Sequence, residues 1–210
     1  MEHKQSGFTL IEIAIVLVII GLLLGGVLKG QELINSAKVK NLATDFKNIP
    51  VFIYGYQDKY NALPGDDAAA VSHVSATNSG NGNGIIDGSW KPALATDESS
   101  LFWQHVRMAK LAPGPTATGN TDYIPKNAVG GNIGVTSASS SPITGLTGSY
   151  IICSNAIAGK FAKQLDTTLD DGTSNTGSVQ VTTAGTTTAA AAIATGNIID
   201  DTPYLVCMGI

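Results

Sequence analysis

Glu12 is the residue of this sequence whose placement most needs a chemical reason. It is the single charged residue between Phe8 and Leu28, in "FTLIEIAIVLVIIGLLLGGVL". A carboxylate inside an apolar segment of membrane length costs a few kcal/mol and calls for a partner. A free amino group on a neighbouring chain, exposed by cleavage, would serve. A second set of candidate residues lies in "NSGNGNGIIDGSW", residues 78–90. Aligned on a calcium loop of the Asp-x-Asn-x-Asn-Gly type, Ser79, Asn81 and Asn83 take the first three ligand places. Gly84 supplies the sharp turn, Ile85 a backbone carbonyl and Asp87 a later side-chain oxygen. Ser79 stands where a carboxylate is usual and Trp90 where a bidentate Glu is usual, so Asp66 or Asp67 would have to fold in. The competing reading is a plain turn in which Asn and Gly supply positive φ. The third set is Cys153 and Cys207. In an exported chain such a pair reads as one disulfide, and in a cytosolic chain as two buried thiols.

Nothing else in the sequence offers a reaction centre. His73 and His105 are isolated, and His105 falls near the apolar face of a predicted helix, where a packed or surface role is expected. No serine sits in Gly-x-Ser-x-Gly, and the two cysteines make no metal-ligand cluster. Trp90, Trp103 and the tyrosines read as core or contact residues. No catalytic residue is assigned, and the chain is expected not to be an enzyme. Charged residues are 13% of the 210 and the formal net charge is -4, which leaves no basic footprint for nucleic acid. The 24 glycines favour short elements joined by turn-rich loops.

These residues must be positioned by a small number of elements. The run from Phe8 to Leu28 is 21 residues, enough for a helix to span the hydrocarbon core, and a polar leader, residues 1–7, precedes it. An ordinary signal peptide has a shorter apolar run followed by a small-residue cleavage site, and this segment has neither. Lys4 is the only Lys or Arg ahead of the run, so the positive-inside rule orients it weakly. From 29 to 60 the pattern becomes amphipathic. Val39, Leu42, Phe46, Ile49 and Ile53 recur at spacings of three and four, opposite Lys38, Lys40, Asp45 and Lys47. Pro50 is expected to bend or loosen this helix, and Gly21, Gly25, Gly26 and Gly30 to weaken its first half. "NALPGD" ends it, and residues 61–210 form a globular head. Within the head, residues 98–110 predict a helix capped by Asp97, with Leu101, Phe102, Val106 and Ala109 on one face. "NAIAGKFAKQLDTTLDDG" predicts another, capped by Asn155, with Ile157, Phe161, Leu165 and Leu169 inward and Gly172 at its end. Strands are predicted at 132–136, 149–154, 178–183 and 204–208. The Ala/Thr/Gly stretch from Thr182 to Thr195 predicts a surface loop or edge segment.

"GFTLIEIAIVLVIIGLLL" closely resembles the N-terminal motif of type IV prepilins and type II secretion pseudopilins. The resemblance implies cleavage by a membrane prepilin peptidase after Gly7 and N-methylation of Phe8. It also implies a role for Glu12, fifth in the mature chain, in subunit registration. Many type IV pilins have a proline where this chain has Lys29, so the kink found there is not expected. "KYNALPGD", "GNGNG", "FWQHVRMAKL" and "LDDG" look like blocks of a bacterial prepilin group with an acidic, glycine-rich head. The implied fold is α+β and pilin-like, a long N-terminal helix packed on an antiparallel β-sheet head. The family's usual C-terminal disulfide would here join Cys153 to Cys207. The implied partners are copies of the chain or other pilins, prepilin peptidase, an inner-membrane assembly platform and the membrane itself. The implied location is the bacterial inner membrane first, then an extracellular pilus or a periplasmic pseudopilus. A minor pilin acting as tip adhesin or priming subunit has the same N-terminus. No cofactor is implied, and calcium at the Asn/Gly loop, with Asn81, Asn83, Ile85, Asp87 and Asp66 as ligands, stands beside the turn reading.

Overall fold

The computed structural model describes residues 9–210 and divides the chain into two compact units, one ending at Ala37 and the other spanning Lys38–Ile210. The first unit consists of the opening part of helix α1, Leu10–Tyr60. Every residue from Leu10 to Lys29 is exposed, including the whole apolar run. A Cβ added at Gly21, Gly25, Gly26 or Gly30 would meet nothing, so no close packing requires these glycines within the chain. By length and composition this stretch is able to cross a membrane.

In the second unit the remainder of α1 buries one stripe: Val39, Leu42, Ala43, Phe46, Ile49, Ile53 and Tyr56. The expected amphipathic face is therefore the buried one. The helix continues through Pro50 without a break. Its neighbours Phe46, Ile49 and Ile53 are anchored in the core, and that burial outweighs one missing backbone hydrogen bond. The stripe packs on a four-stranded antiparallel sheet of order β1-β2-β4-β3, formed by β1 (Ile133–Ser137), β2 (Tyr150–Ala158), β3 (Val179–Thr183) and β4 (Pro203–Gly209). Strand periodicity separates two cores. Val135, Ile152, Val181 and Val206 join the cluster containing α1. Their alternates Ile151, Cys153, Leu205 and Cys207 join Trp90, Ile143 and Leu146 in a second cluster.

Helices α2 (Ala70–Val74), α3 (Glu98–Met108) and α4 (Gly159–Leu169) complete the unit. Two local expectations need correction. Asn155 does not cap a helix: β2 continues to Ala158 through an irregularity between Ser154 and Ile157, where Ala156 has φ +59°. That bulge buries Ile157 from the strand, and the Asn155 carboxamide oxygen accepts the Gly185 N–H at 2.9 Å instead. The first N–H groups of α4 are satisfied by backbone carbonyls, Gly159 donating to Thr202 and Lys160 to Asp200. Asp97 does stand at the N-cap of α3, yet its side chain turns backward and accepts the N–H groups of Ala93 and Leu94. The Ala/Thr/Gly stretch leaves β3 as a loop, but it is held to the head. Ile193 donates to Val181, Ala190 bonds the segment around Ile143, and Thr186 accepts the Trp90 indole N–H at 2.7 Å.

Candidate functional site

Gly7 and Phe8, the expected cleavage and methylation positions, lie outside the described residues. The described chain begins with the residues that would follow them. Thr9 and Glu12 form a reciprocal cap at the start of α1. Glu12 Oε2 accepts the Thr9 N–H at 2.8 Å and the Thr9 hydroxyl at 2.7 Å, while the Glu12 N–H points back to Thr9 Oγ1 at 3.3 Å. Both bonds to the carboxylate fall on Oε2, and neither uses Oε1. Glu12 is exposed, in a segment whose other side chains down to Leu28 carry no charge. The Thr-x-x-Glu spacing was available in the sequence as a capping signature, although the membrane-like run obscures it. The geometry holds a carboxylate at the head of an apolar helix with one oxygen uncommitted among the described residues.

The Asn/Gly loop is built by carboxylates that come to it from elsewhere in the chain. Asp66, after the end of α1, accepts the N–H groups of Asn83 and Gly84 at 2.9 and 2.8 Å, one on each oxygen. Glu98, the first residue of α3, accepts Asn81 N–H and Asp87 N–H, both at 2.9 Å. Within the loop the Asn81 and Asn83 side-chain oxygens accept the N–H groups of Asn83 and Ile85, the local turns that make Asn favourable here. Their amide groups both donate to Asp87 Oδ2 at 2.9 Å. Gly82 and Gly84 have φ +74° and +89°, the left-handed conformation that glycine adopts without strain. Asp66, Asn81, Asn83, Ile85 and Asp87 are therefore parts of one hydrogen-bonded loop. Both Asp66 oxygens and both Asn side-chain oxygens accept backbone N–H groups of the loop, and two amide donors face Asp87 Oδ2. That pattern supports the turn reading. Ser79 stays apart from the carboxylates and accepts the Val71 N–H at 3.3 Å.

Beside this loop lies a buried polar group that sequence reading missed. Asp67 Oδ2 accepts the Tyr56 hydroxyl at 2.7 Å and contacts His73 Nδ1 at 2.8 Å, while Oδ1 accepts the Ala69 N–H. Burial opposes ionisation of Asp67, but the bonds from His73, Tyr56 and Ala69 outweigh it and hold the carboxyl below its ordinary value. Burial also pushes the Tyr56 hydroxyl well up. His105 is fully buried, accepts the Gly65 N–H on Nδ1 and contacts the Asn78 carbonyl through Nε2, and burial pushes its pKa down. Asp67 thus fastens the residues after α1 to that helix through Tyr56 and to α2 through His73, and among the described residues no serine or cysteine is hydrogen-bonded to either histidine. Glu98 differs in sign. Burial pushes its carboxyl up, the charges of Asp66 and Asp87 add to this, and the two N–H bonds it accepts pull it part of the way back. Asp67 and Glu98 were not legible because their partners lie up to 17 residues away and no local pattern announces them.

Cys153 and Cys207 are directly opposed in the β2–β4 ladder, with Cα atoms 4.1 Å apart, and are joined in a disulfide. Both are fully buried in the second cluster beside Trp90. The bond ties the central strand pair of the sheet together.

Compared with known families, the chain matches the one described as "Prokaryotic N-terminal methylation motif" over residues 3–28, the signature of type IV pilins and pseudopilins. No curated protein matches the chain significantly, and no solved structure does.

Proposed function

We propose that this chain, which carries the prepilin-type methylation motif over residues 3–28, is a structural subunit of a type IV pilus-like filament. The motif supports a type IV pilin-like or pseudopilin subunit, and it points to a structural subunit rather than an enzyme. In this reading the precursor is anchored in the inner membrane by the apolar run, prepilin peptidase cleaves between Gly7 and Phe8, and Phe8 is methylated. The processed subunit leaves the membrane by entering a filament whose core is made of these helices. The observation that carries the reading is the pairing of the motif with a fully exposed apolar helix that holds one carboxylate, Glu12. An apolar face of that size needs a cover, and lipid first and neighbouring helices later would supply it. Glu12 Oε1 is then placed to meet the Phe8 ammonium of the next subunit and set the axial register.

Mass spectrometry of sheared surface filaments or of membrane protein tests the processing. The expected mature chain begins at a methylated Phe8 and has lost residues 1–7. An unprocessed leader in assembled filaments would overturn the proposal. A pseudopilin of a type II secretion system has the same N-terminus, and genes for a secretion channel beside this one, in place of pilus genes, would assign it there.

A further inference from the structure

Asp166 stands apart from the other buried carboxylates of the head. Asp66, Asp67 and Glu98 each accept hydrogen bonds on both oxygens. Asp166 is fully buried, and neither of its oxygens has a partner in good hydrogen-bonding geometry, the Ser174 hydroxyl and the Gly172 N–H being the donors beside it. It lies in the last turns of α4, and Asp170 and Asp171 follow at the helix end. One carboxylate oxygen from each of the three lies within 4.8 Å of the others. No lysine, arginine or histidine among the described residues pairs with any of them. The two lysines of α4 are engaged elsewhere, Lys160 with Asp201 and Lys163 with Asp200. A helix C-terminus carries partial negative charge, so this end of α4 disfavours three carboxylates on two counts. A buried carboxylate with no well-formed hydrogen bond and no counter-charge is a costly arrangement in a protein.

We propose that Asp166, Asp170 and Asp171 form a binding site for a divalent cation, with calcium as the ion. The donor set is entirely hard oxygen. Asp166 approaches from the interior and Asp171 from the exposed side, which leaves room for water to complete the shell. The loop that follows is already folded back on itself. Asp171 accepts the Thr173 N–H at 2.8 Å and the Thr176 hydroxyl at 3.0 Å, and Asp170 Oδ2 accepts the Val179 N–H at 2.9 Å as β3 begins. An ion here would fasten the end of α4 to the entry of β3. Carboxylates drawn from a helix end and an irregular loop suit the flexible coordination of calcium better than the strict octahedron of magnesium. The site is separate from the Asn/Gly loop and does not depend on the chain being a filament subunit.

The test uses the full-length chain with its disulfide intact, purified in detergent and stripped with chelator, then titrated calorimetrically with calcium chloride and separately with magnesium chloride. One equivalent of calcium is expected to bind with Kd of about 10⁻⁵–10⁻³ M, with magnesium at least about tenfold weaker. At about 100 times Kd the melting temperature should rise by several degrees. Asp166→Asn and Asp171→Ala should each weaken calcium at least about tenfold, while Asp87→Ala in the Asn/Gly loop leaves it unchanged. If Asp166→Asn does not fold, the exposed Asp171→Ala decides alone. The absence of a saturable calcium signal to about 10 mM would overturn the site, as would undiminished affinity in both variants. Loss of binding in Asp87→Ala with retention in Asp171→Ala would move the ion to the other loop and overturn this assignment. Equal affinity for magnesium would overturn the assignment to calcium.

Discussion

Glu12 and Glu98 are the same side chain in opposite surroundings. Glu12 is an exposed carboxylate in an apolar helix, bonded among the described residues only to Thr9 and on one oxygen. Glu98 is a buried carboxylate in a polar corner, and each of its oxygens accepts a backbone N–H from a loop up to 17 residues away. Glu98 has its partners inside the chain and its work is to fold a loop. Glu12 has capacity left over in a segment that must be covered by something else. The comparison teaches that exposure alone does not identify an assembly residue. What marks Glu12 is an unspent polar atom on an apolar surface. If that is right, changes at Glu12 alter assembly without altering the head, and changes in the head alter stability without altering assembly.

The largest effect is expected from Glu12→Ala. It removes a charge from the apolar run, so membrane insertion should be retained. It also removes the partner of a neighbour's Phe8 ammonium, and losing one member of a buried pair costs about 3–5 kcal/mol per contact. Surface filament yield should fall at least about tenfold, with the melting temperature of the head unchanged. Filaments from Glu12→Ala cells at normal abundance would break the comparison, because Glu12 would then be only a helix cap.

Replacing Cys153 and Cys207 together by serine comes next. In the chain-entropy treatment, a cross-link closing the 54-residue separation between them contributes about 4 kcal/mol. Two hydroxyls in a fully buried apolar cluster would add to the loss. The denaturant midpoint should drop sharply, while N-terminal processing continues. An unchanged midpoint would mean that the β2–β4 ladder and its two cores hold the sheet without the bond.

The large elements were legible because burial imposes a period. The α1 stripe from Val39 to Ile53 and the alternation in "SVQVTT" follow from one face meeting the core. All four strands stand within four residues of their expected ends. The disulfide was legible because only one pairing is possible. Asn155 misled because an Asn ahead of an apolar helical pattern has the same signature whether it caps a helix or sits at a β-bulge. Glu98 was invisible as a loop organiser since a carboxylate's long-range partners leave no trace in its neighbours. Thr9 and Glu12 show the reverse: the spacing was present, and the apolar context drew attention away from it.

Glu98→Ala sharpens the head side of the comparison. The substitution leaves the N–H groups of Asn81 and Asp87 without their acceptor and removes a charge-assisted pair of bonds. A loss of about 2–3 kcal/mol is expected, seen as early hydrogen exchange across residues 79–88 and a lower melting temperature. Filament yield at permissive temperature should be normal. A large assembly defect with unchanged stability would place this loop in a subunit contact and blur the distinction drawn from Glu12.

Asp45 is the intermediate case and the smallest expected effect. It lies on α1 within the head, half-buried between the core residues Leu42 and Phe46, beside a cavity of about 160 Å³ that Phe52, Trp103 and Arg107 also line. The Arg107 guanidinium does not pair with it and donates instead to the carbonyls of Pro113, Pro115 and Tyr123. Burial pushes the Asp45 carboxyl up to about 6 from an ordinary 3.8. The folded chain therefore holds this proton more tightly than the unfolded chain does. The contribution of Asp45 to stability falls as pH rises from about 4 to about 6, and above that window the ionised form carries the full penalty. Two pK units correspond to about 3 kcal/mol, which partial solvent exposure reduces to about 1 kcal/mol. Asp45→Asn should accordingly stabilise the protein by about 1 kcal/mol at pH 7 and by nothing measurable at about pH 3.5, where both side chains are neutral. Denaturant midpoints at the two pH values measure the difference. Equal stabilisation at both would attribute the effect to packing and not to charge. Because Asp45 has no partner of its own, filament yield supplies the second arm. Yield is expected to be unchanged, which leaves Glu12 as the carboxylate on α1 that needs a neighbour. A fall in yield at unchanged head stability would move Asp45 into the same class as Glu12.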